Sequence, residues 1–561
     1  MSNQESRISF NVGRYGNQIG ARLTTWAQQD FLLRLWNKDH TLWSPDPVPE
    51  LTDRLGWLML PERMMGNLDE IFQFADEMKS ARTSRVVLLG MGGSSLAPEV
   101  FARSFGSAPG YPELIVLDST HPEAVISVRE RLDLESTFFL VSSKSGTTLE
   151  TISLYRYFWQ EVKYTTNEPG KHFAAITDPG SPLAKLAVDR KFRAVFEAPV
   201  DVGGRFSAFS VFGLVPAALI GVDVHCLLDR AMRSVDDSSP GTLQVEPAPL
   251  VLGALLGELA EDRNKVTFLT SPTLSSFSDW AEQLMAESTG KEGKGILPIV
   301  NEPPLAASSY GSDRLFVGLF LEGETDPELE DLFRDIKAFG HPTVRINLAD
   351  RYDLGQEFFR WEVAVAAACS VMGINPFNQP DVQLSKNFTR RVMGGNSEGV
   401  KELKEPRSGR PITLSTVNSE RLAQELKKWI GQVKPGDYIA LQAYLAPVSE
   451  VENALQRIRL ALLERTHQAT TLGYGPRYLH STGQLHKGGP NSGCFLQLVD
   501  NSKDGIHVPE TDYTFDTIIR AQGFGDYQAL TERNRRALRV NLGENIPKGL
   551  EILRKLVSRQ S

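Results

Sequence analysis

Cysteine is scarce in this chain: three in 561 residues, Cys226, Cys369 and Cys494, far apart and without a CxxC pair. That excludes a disulfide framework and suits a reducing compartment, so a cytoplasmic protein is expected. Basic charge is not in excess either. Sixty Lys and Arg against 69 Asp and Glu leave a net charge of -9 and a pI of about 5.7. No global positive field exists to hold nucleic acid, and an anionic ligand must be bound by local dipoles. No run of 18 uninterrupted apolar residues occurs. The nearest, Val211 to Val222, has the length of a core helix and contains Pro216, so no membrane partner is expected. The polar N-terminus MSNQESRISFNVGRYG lacks the apolar centre of a signal peptide. HExxH and paired Cys/His spacings are missing, so neither a catalytic metal nor any other cofactor is expected.

What remains is ordinary globular composition, 41% hydrophobic and 23% charged. No internal repeat, heptad array or low-complexity tract stands out. Residues 1–80 read as a helical, amphipathic N-terminal segment. From residue 85 short apolar runs alternate with helix-length segments: Arg85–Leu89, Leu114–Leu117, Thr137–Val141 and His172–Ile176. A second series follows, with strand candidates Lys265–Leu269, Gly295–Val300, Arg314–Leu321 and Thr343–Asn347, then a helix over Leu354–Met372. After a polar connection near Asn396–Asn418 come strands at Asp437–Tyr444 and Cys494–Val499, with a helix over Ser449–Thr466 between them. The pattern predicts an α/β protein with two doubly wound, mostly parallel αβα domains in tandem, residues 81–245 and 246–561, the second with a helical C-terminal extension. In such sheets ligands sit beyond the carboxyl ends of the strands.

Two loops at such ends carry phosphate chemistry. Gly90-Met91-Gly92-Gly93-Ser94-Ser95 follows the first strand, and glycines there let backbone amides approach an anion at a helix start. A structural turn is the other reading. A dinucleotide site would want glycine where Ser95 stands, and no Walker lysine is present. The second loop is sharper. Ser142-Ser143-Lys144-Ser145-Gly146-Thr147-Thr148-Leu149-Glu150-Thr151 packs six hydroxyls into ten residues after Val141. That is poor core chemistry and good phosphate chemistry, since charge-assisted hydrogen bonds contribute about 1.5–3 kcal/mol each. Thr147 and Glu150 also have the spacing of a helix capping box.

A Gly-Gly-Ser loop followed about fifty residues later by Ser-Lys-Ser-Gly-Thr-Thr resembles the sugar-isomerase fold of phosphosugar-binding proteins. Four further segments narrow the resemblance to the phosphoglucose isomerase family: Val202–Ser207, Gln283–Lys291, Asn375–Pro380 leading to Lys386, and His480–Gly489. Trp36–Trp43 and Leu472–Pro490 are similar to the isomerase portion of bifunctional transaldolase/phosphoglucose isomerases. No barrel half with a Schiff-base lysine accompanies them, so transaldolase activity is not expected.

The resemblance implies an aldose–ketose isomerase that interconverts glucose 6-phosphate and fructose 6-phosphate through an enediolate, acting as a homodimer on a small sugar phosphate. Gly93, Ser94, Ser143, Lys144, Ser145, Thr147 and Thr148 would hold the substrate. Glu287 would be the base, with Gln283, on the same helical face, and Gln379 as further substrate contacts. A surface pair of Glu287 with Lys291 is the plainer reading of that helix. Arg205, behind two glycines, could stabilise developing enediolate charge, or close its loop by pairing with Asp201. Lys386 resembles the lysine at the ring oxygen. Ring opening asks for a group titrating near neutrality; His480 fits the family spacing and His486 is the alternative. The family usually places this histidine loop before the Gln…Lys segment, and here it follows. Other functions stay open: a non-catalytic sugar-phosphate-binding regulator of the same fold, or an isomerase that also accepts mannose 6-phosphate. A hexosamine-phosphate synthase would need an N-terminal cysteine nucleophile, which residues 2–10 lack.

Overall fold

The structure is a computed structural model, and it describes residues 7–242, 246–382, 412–413, 419–501 and 505–558. Three five-stranded sheets organise these residues. The first holds β2 (Arg85–Leu89), β3 (Glu113–Leu117), β4 (Thr137–Ser142), β5 (Phe173–Thr177) and β6 (Ala194–Glu197), all parallel, in the order β3-β2-β4-β5-β6. The second has the order β1-β10-β9-β7-β8, from β7 (Lys265–Thr270), β8 (Leu297–Ile299), β9 (Arg314–Leu321) and β10 (Thr343–Leu348). Its edge is β1 (Ile8–Asn11), added antiparallel, so the expected helical N-terminal segment opens with a strand. The third has the order β11-β15-β14-β12-β13: β11 (Ile412–Thr413), β12 (Tyr438–Tyr444), β13 (Ala469–Tyr474), β14 (Gly493–Val499) and β15 (Arg536–Asn541).

The doubly wound, mostly parallel α/β architecture is therefore present, and residues 246–561 hold two such sheets where one was expected. All three share one winding. In each, the founding strand (β2, β7, β12) takes its successor on one side and the later strands on the other. The crevice beside that reversal is where such folds bind ligands. Much of the third sheet escaped sequence reading because β13 (ATTLGY) and β15 (RALRVN) are polar or alternating rather than apolar runs.

The largest apolar core is continuous across the first two sheets. At its centre the buried helices Ala248–Glu258 and Leu354–Met372 cross closely. A methyl at Gly253 would lie 2.8 Å from the Ala364 carbonyl, and one at Gly257 would lie 2.7 Å from Val371. Small residues at this i, i+4 pair let the helices approach. The third sheet keeps its own core around Leu441, Ile458, Leu496 and Val540, and it meets the rest through an apolar cluster that joins Leu297 and Ile299 to Tyr438 and Phe495 and through polar contacts. Arg459 donates to the Val300 carbonyl at 2.9 Å and the Asn301 carbonyl at 2.7 Å. Arg477 pairs with Asp118 at 3.0 Å and with Glu99. Among the described residues no helix is long and apolar enough to cross a membrane.

Glu362 is an anomaly in the core. It is fully buried on the Leu354–Met372 helix, and among the described residues both carboxyl oxygens lack a hydrogen-bond partner. Burial raises its pKa well above the ordinary value. The folded chain keeps the proton while the unfolded chain releases it above about pH 4.5, so stability is lost as pH rises. Glu362→Gln should raise the melting temperature by at least about 2 °C at pH 8. Melting curves should show the gain vanishing toward pH 5; a gain independent of pH would refute the assignment.

Candidate active site

The two hydroxyl- and glycine-rich loops lie side by side because β2 and β4 flank the reversal of the first sheet. In the second loop Ser143 Oγ and Thr148 Oγ1 are 2.9 Å apart, and Ser145 Oγ and Thr147 Oγ1 are 3.0 Å apart. Gly146 makes the turn with a φ of +65°, and a side chain there would lie 2.7 Å from the Leu183 amide. Lys144 points away from this hydroxyl cluster. Its Nζ donates to both carboxylate oxygens of Asp178, at 2.8 and 2.9 Å. Thr148, rather than Thr147, caps the helix Leu149–Lys163, with no side-chain cap bond. The expected capping box therefore does not form, because Glu150 turns elsewhere.

The first loop abuts the Gly203-Gly204-Arg205 turn. A Cβ at Gly93 would lie 2.2 Å from the Gly204 carbonyl oxygen, so only glycine permits this backbone contact. Ser94, one residue on, is buried, and Ser95 donates to the Gly92 carbonyl at 3.1 Å.

Beyond Gly204 the guanidinium of Arg205 is 4% exposed and fully engaged. Its Nε donates to Ser288 Oγ at 2.9 Å, and Nη1 to Glu287 Oε2 at 3.0 Å and Gln379 Oε1 at 3.2 Å. Nη2 donates to the carbonyls of Pro376 at 2.5 Å and Asn378 at 3.2 Å. Asp201 is not its partner. Glu287 projects from the buried helix Ser275–Thr289. Burial raises the Glu287 pKa, and Arg205 and His480 hold it back. Lys291 makes no surface pair with Glu287. Its Nζ donates to the Asn375 carbonyl at 2.7 Å and the Asn378 carbonyl at 2.6 Å, and burial lowers its pKa to about 7. Lys291 and Arg205 thus both brace the Asn375–Gln379 segment. Lys386 lies outside the described residues.

His480 comes from the third sheet, six residues past β13. Its Nε2 stands 3.0 Å from Glu150 Oε1, and an ionised carboxylate only accepts, so Nε2 is the protonated nitrogen. The backbone carbonyl of His480 accepts from Gln283 Nε2 at 2.7 Å. Gln283 sits one helical turn before Glu287, so the Glu287 helix, His480 and the helix that follows the hydroxyl loop are joined by direct contacts. His486 is elsewhere, packed among the rings of Tyr438, Tyr478 and Phe495, where burial drives its pKa well down. Glu150 was missed by sequence reasoning, since its spacing from Thr147 read as a cap. Nothing local in the sequence marks Ser288.

Residues 67–296 match the family model for phosphoglucose isomerase. The glucose-6-phosphate isomerase of Rubrobacter xylanophilus is 29% identical over 394 residues, spanning 61% of this chain and 90% of that protein. Over these stretches the chain is similar to phosphoglucose isomerases. The Staphylococcus haemolyticus glucose-6-phosphate isomerase is 28% identical over 413 residues, 63% of this chain and 90% of the relative. A glucose-6-phosphate isomerase structure from Chlamydia trachomatis shares the fold, with a TM-score of 0.57 at 18% identity over 75% of this chain and 91% of that one. A structure of a hypothetical Thermus thermophilus protein does so with a TM-score of 0.60 at 24% identity over 69% of this chain and 100% of that one. The stretch matched by the phosphoglucose isomerase model contains the whole first sheet and the helix Ser275–Thr289, and it ends before the third sheet begins.

The Gly93–Gly204 contact gives a direct test of how tightly the two loops are locked. Gly93→Ala should cost about 1–3 kcal/mol or more through overpacking against backbone. Gly203→Ala, whose added methyl meets nothing within 4 Å, should leave the melting temperature unchanged. Equal stability of the two variants would show that the loops can move apart freely.

Proposed function

We propose that this chain is a member of the phosphoglucose isomerase family and a glucose-6-phosphate isomerase, interconverting glucose 6-phosphate and fructose 6-phosphate. The observation that carries the reading is a buried carboxylate, Glu287, held by Arg205 and tied through Gln283 to His480 and so to the hydroxyl loop. A protein that only bound sugar phosphate would need the loop but not the positioned base.

In the proposed mechanism Ser143, Ser145, Thr147 and Thr148, with backbone amides of that loop and of Gly93-Ser94, receive the phosphate. Lys144 contributes its backbone to the loop, since its ammonium is spent on Asp178. His480, carried on Glu150, exchanges a proton with the sugar to open the ring. Glu287 then takes the proton from carbon 2 and returns it to carbon 1, the kind of transfer that contributes about 10²–10⁴-fold. Burial makes Glu287 a stronger base than a surface carboxylate, which suits removal of a weakly acidic C–H. Arg205 keeps it ionised and sets positive charge beside the enediolate. Gln283 and Gln379 face sugar hydroxyls, and Lys386 takes the ring-oxygen role that the family resemblance implies. The same resemblance supports a homodimer, which sedimentation would check.

A coupled assay from fructose 6-phosphate to glucose 6-phosphate, run with and without chelator, tests the activity itself. Glu287→Gln should lower turnover about 10²–10⁴-fold while sugar-phosphate affinity persists; near-normal turnover would remove Glu287 as base. Because burial raises its pKa, the acid limb of kcat/KM should lie above the ordinary glutamate value, with activity lost as pH falls through it. The double variant Ser143→Ala/Thr148→Ala should weaken substrate binding, and unchanged affinity would move the phosphate elsewhere.

A further inference from the structure

Behind Glu150 stands a residue that the proposed mechanism does not use. Gln522, 3% exposed, lies on the helix Phe515–Glu532 between β14 and β15 of the third sheet. Its Nε2 donates to Glu150 Oε1 at 2.6 Å, the same oxygen that His480 Nε2 approaches at 3.0 Å. Its Oε1 accepts from the Thr120 hydroxyl at 3.1 Å. Thr120 is fully buried and lies just past β3 of the first sheet. An ionised carboxylate only accepts, so Glu150 takes the NH₂ end of the amide, and the amide oxygen is left to accept from the Thr120 hydroxyl. One carboxylate oxygen consequently receives two donors, one from the amide and one from the imidazole.

The geometry points to Gln522 as a positioning residue that, through Glu150, fixes the His480 ring with Nε2–H on the carboxylate and leaves Nδ1 for the sugar. This rests on the assignment of His480 as the ring-opening group. A carboxylate held by a buried amide cannot swing away from the imidazole, and that keeps one tautomer. Partners at this remove commonly change activity about 10–100-fold in metal sites, where the same carboxylate–histidine logic operates. The arrangement also explains why the ring opener and its orienting amide both come from the third sheet while the carboxylate comes from the first. The dyad exists only when the two sheets are docked.

The test is Gln522→Leu in the full chain, assayed on glucose 6-phosphate and on erythrose 4-phosphate, whose blocked C4 hydroxyl prevents ring closure. Activity on glucose 6-phosphate should fall about tenfold or more, mainly in kcat. Exchange of the C2 proton of erythrose 4-phosphate with solvent should stay within about twofold of the unaltered enzyme. In a His480→Ala background the same substitution should add nothing further. Equal loss on both substrates, or an undiminished effect without His480, would overturn the positioning role. If His480→Ala itself slowed both substrates equally, the ring-opening assignment would fail instead. ¹⁵N shifts of the His480 ring then judge Gln522 independently, because the Nε2–H tautomer should give way to a mixture in Gln522→Leu, and its retention would overturn the proposal. Thr120→Val, which removes the hydroxyl that holds the amide oxygen, should show the same substrate split more weakly. It serves if Gln522→Leu does not fold, and an unaltered Thr120→Val would then count against the clamp.

Discussion

The site is organised around one buried ion pair, Arg205 with Glu287, each almost wholly excluded from water. Burying a lone carboxylate in such a place would cost several kcal/mol, and the guanidinium offsets that while imposing its own demands. A planar fork with five donors needs acceptors all round its edge. Ser288 and the carbonyls of Pro376 and Asn378 supply them, so the Asn375–Gln379 segment has to lie where it does. Lys291 is drawn into the same segment. Glu287, its counter-ion and the Asn375–Gln379 segment thus form one unit, and changing any member leaves a charge or a carbonyl without its partner.

Much of this was legible in the sequence, for reasons that differ by residue. Arg85–Leu89, Arg314–Leu321, Leu354–Met372 and Ser449–Thr466 were read with the bounds they have, since continuous apolar runs and strong helical periodicity leave little choice. Ser143–Thr148 stood out because so many hydroxyls have no use in a core. Arg205, Gln283, Glu287 and Gln379 were named by family resemblance, and the structure brings all four into contact with one another or with His480. The partners of Lys144 and Lys291 were not legible. Their alternatives are decided by which carboxylate or carbonyl folding brings close, and Asp178, Asn375 and Asn378 are far away along the chain.

The third sheet was the least visible element. Its strands β13 and β15 mix Thr, Arg and Asn with their apolar residues, so neither reads as a continuous apolar run. Three sheets with one winding and no evident sequence repeat show how little the winding asks of particular residues. It asks for hydrophobic centres and short connections. The site asks for more, which is why Glu150 and Gln522 gave no signal of their own: each is defined by a partner more than three hundred residues distant in sequence.

The polar seam of the third sheet has a consequence for how the chain can change over time. Apolar cores tolerate exchange of one hydrophobe for another of similar volume. A seam made from Arg477 with Asp118, Gln484 with Asp381 and Arg459 with the Val300 and Asn301 carbonyls tolerates no such drift. A replacement on one side strands a buried charge or amide on the other. Viable substitutions along this boundary should therefore arrive as matched couples, and alignments of close relatives should record residues 118 and 477, or 381 and 484, altering together.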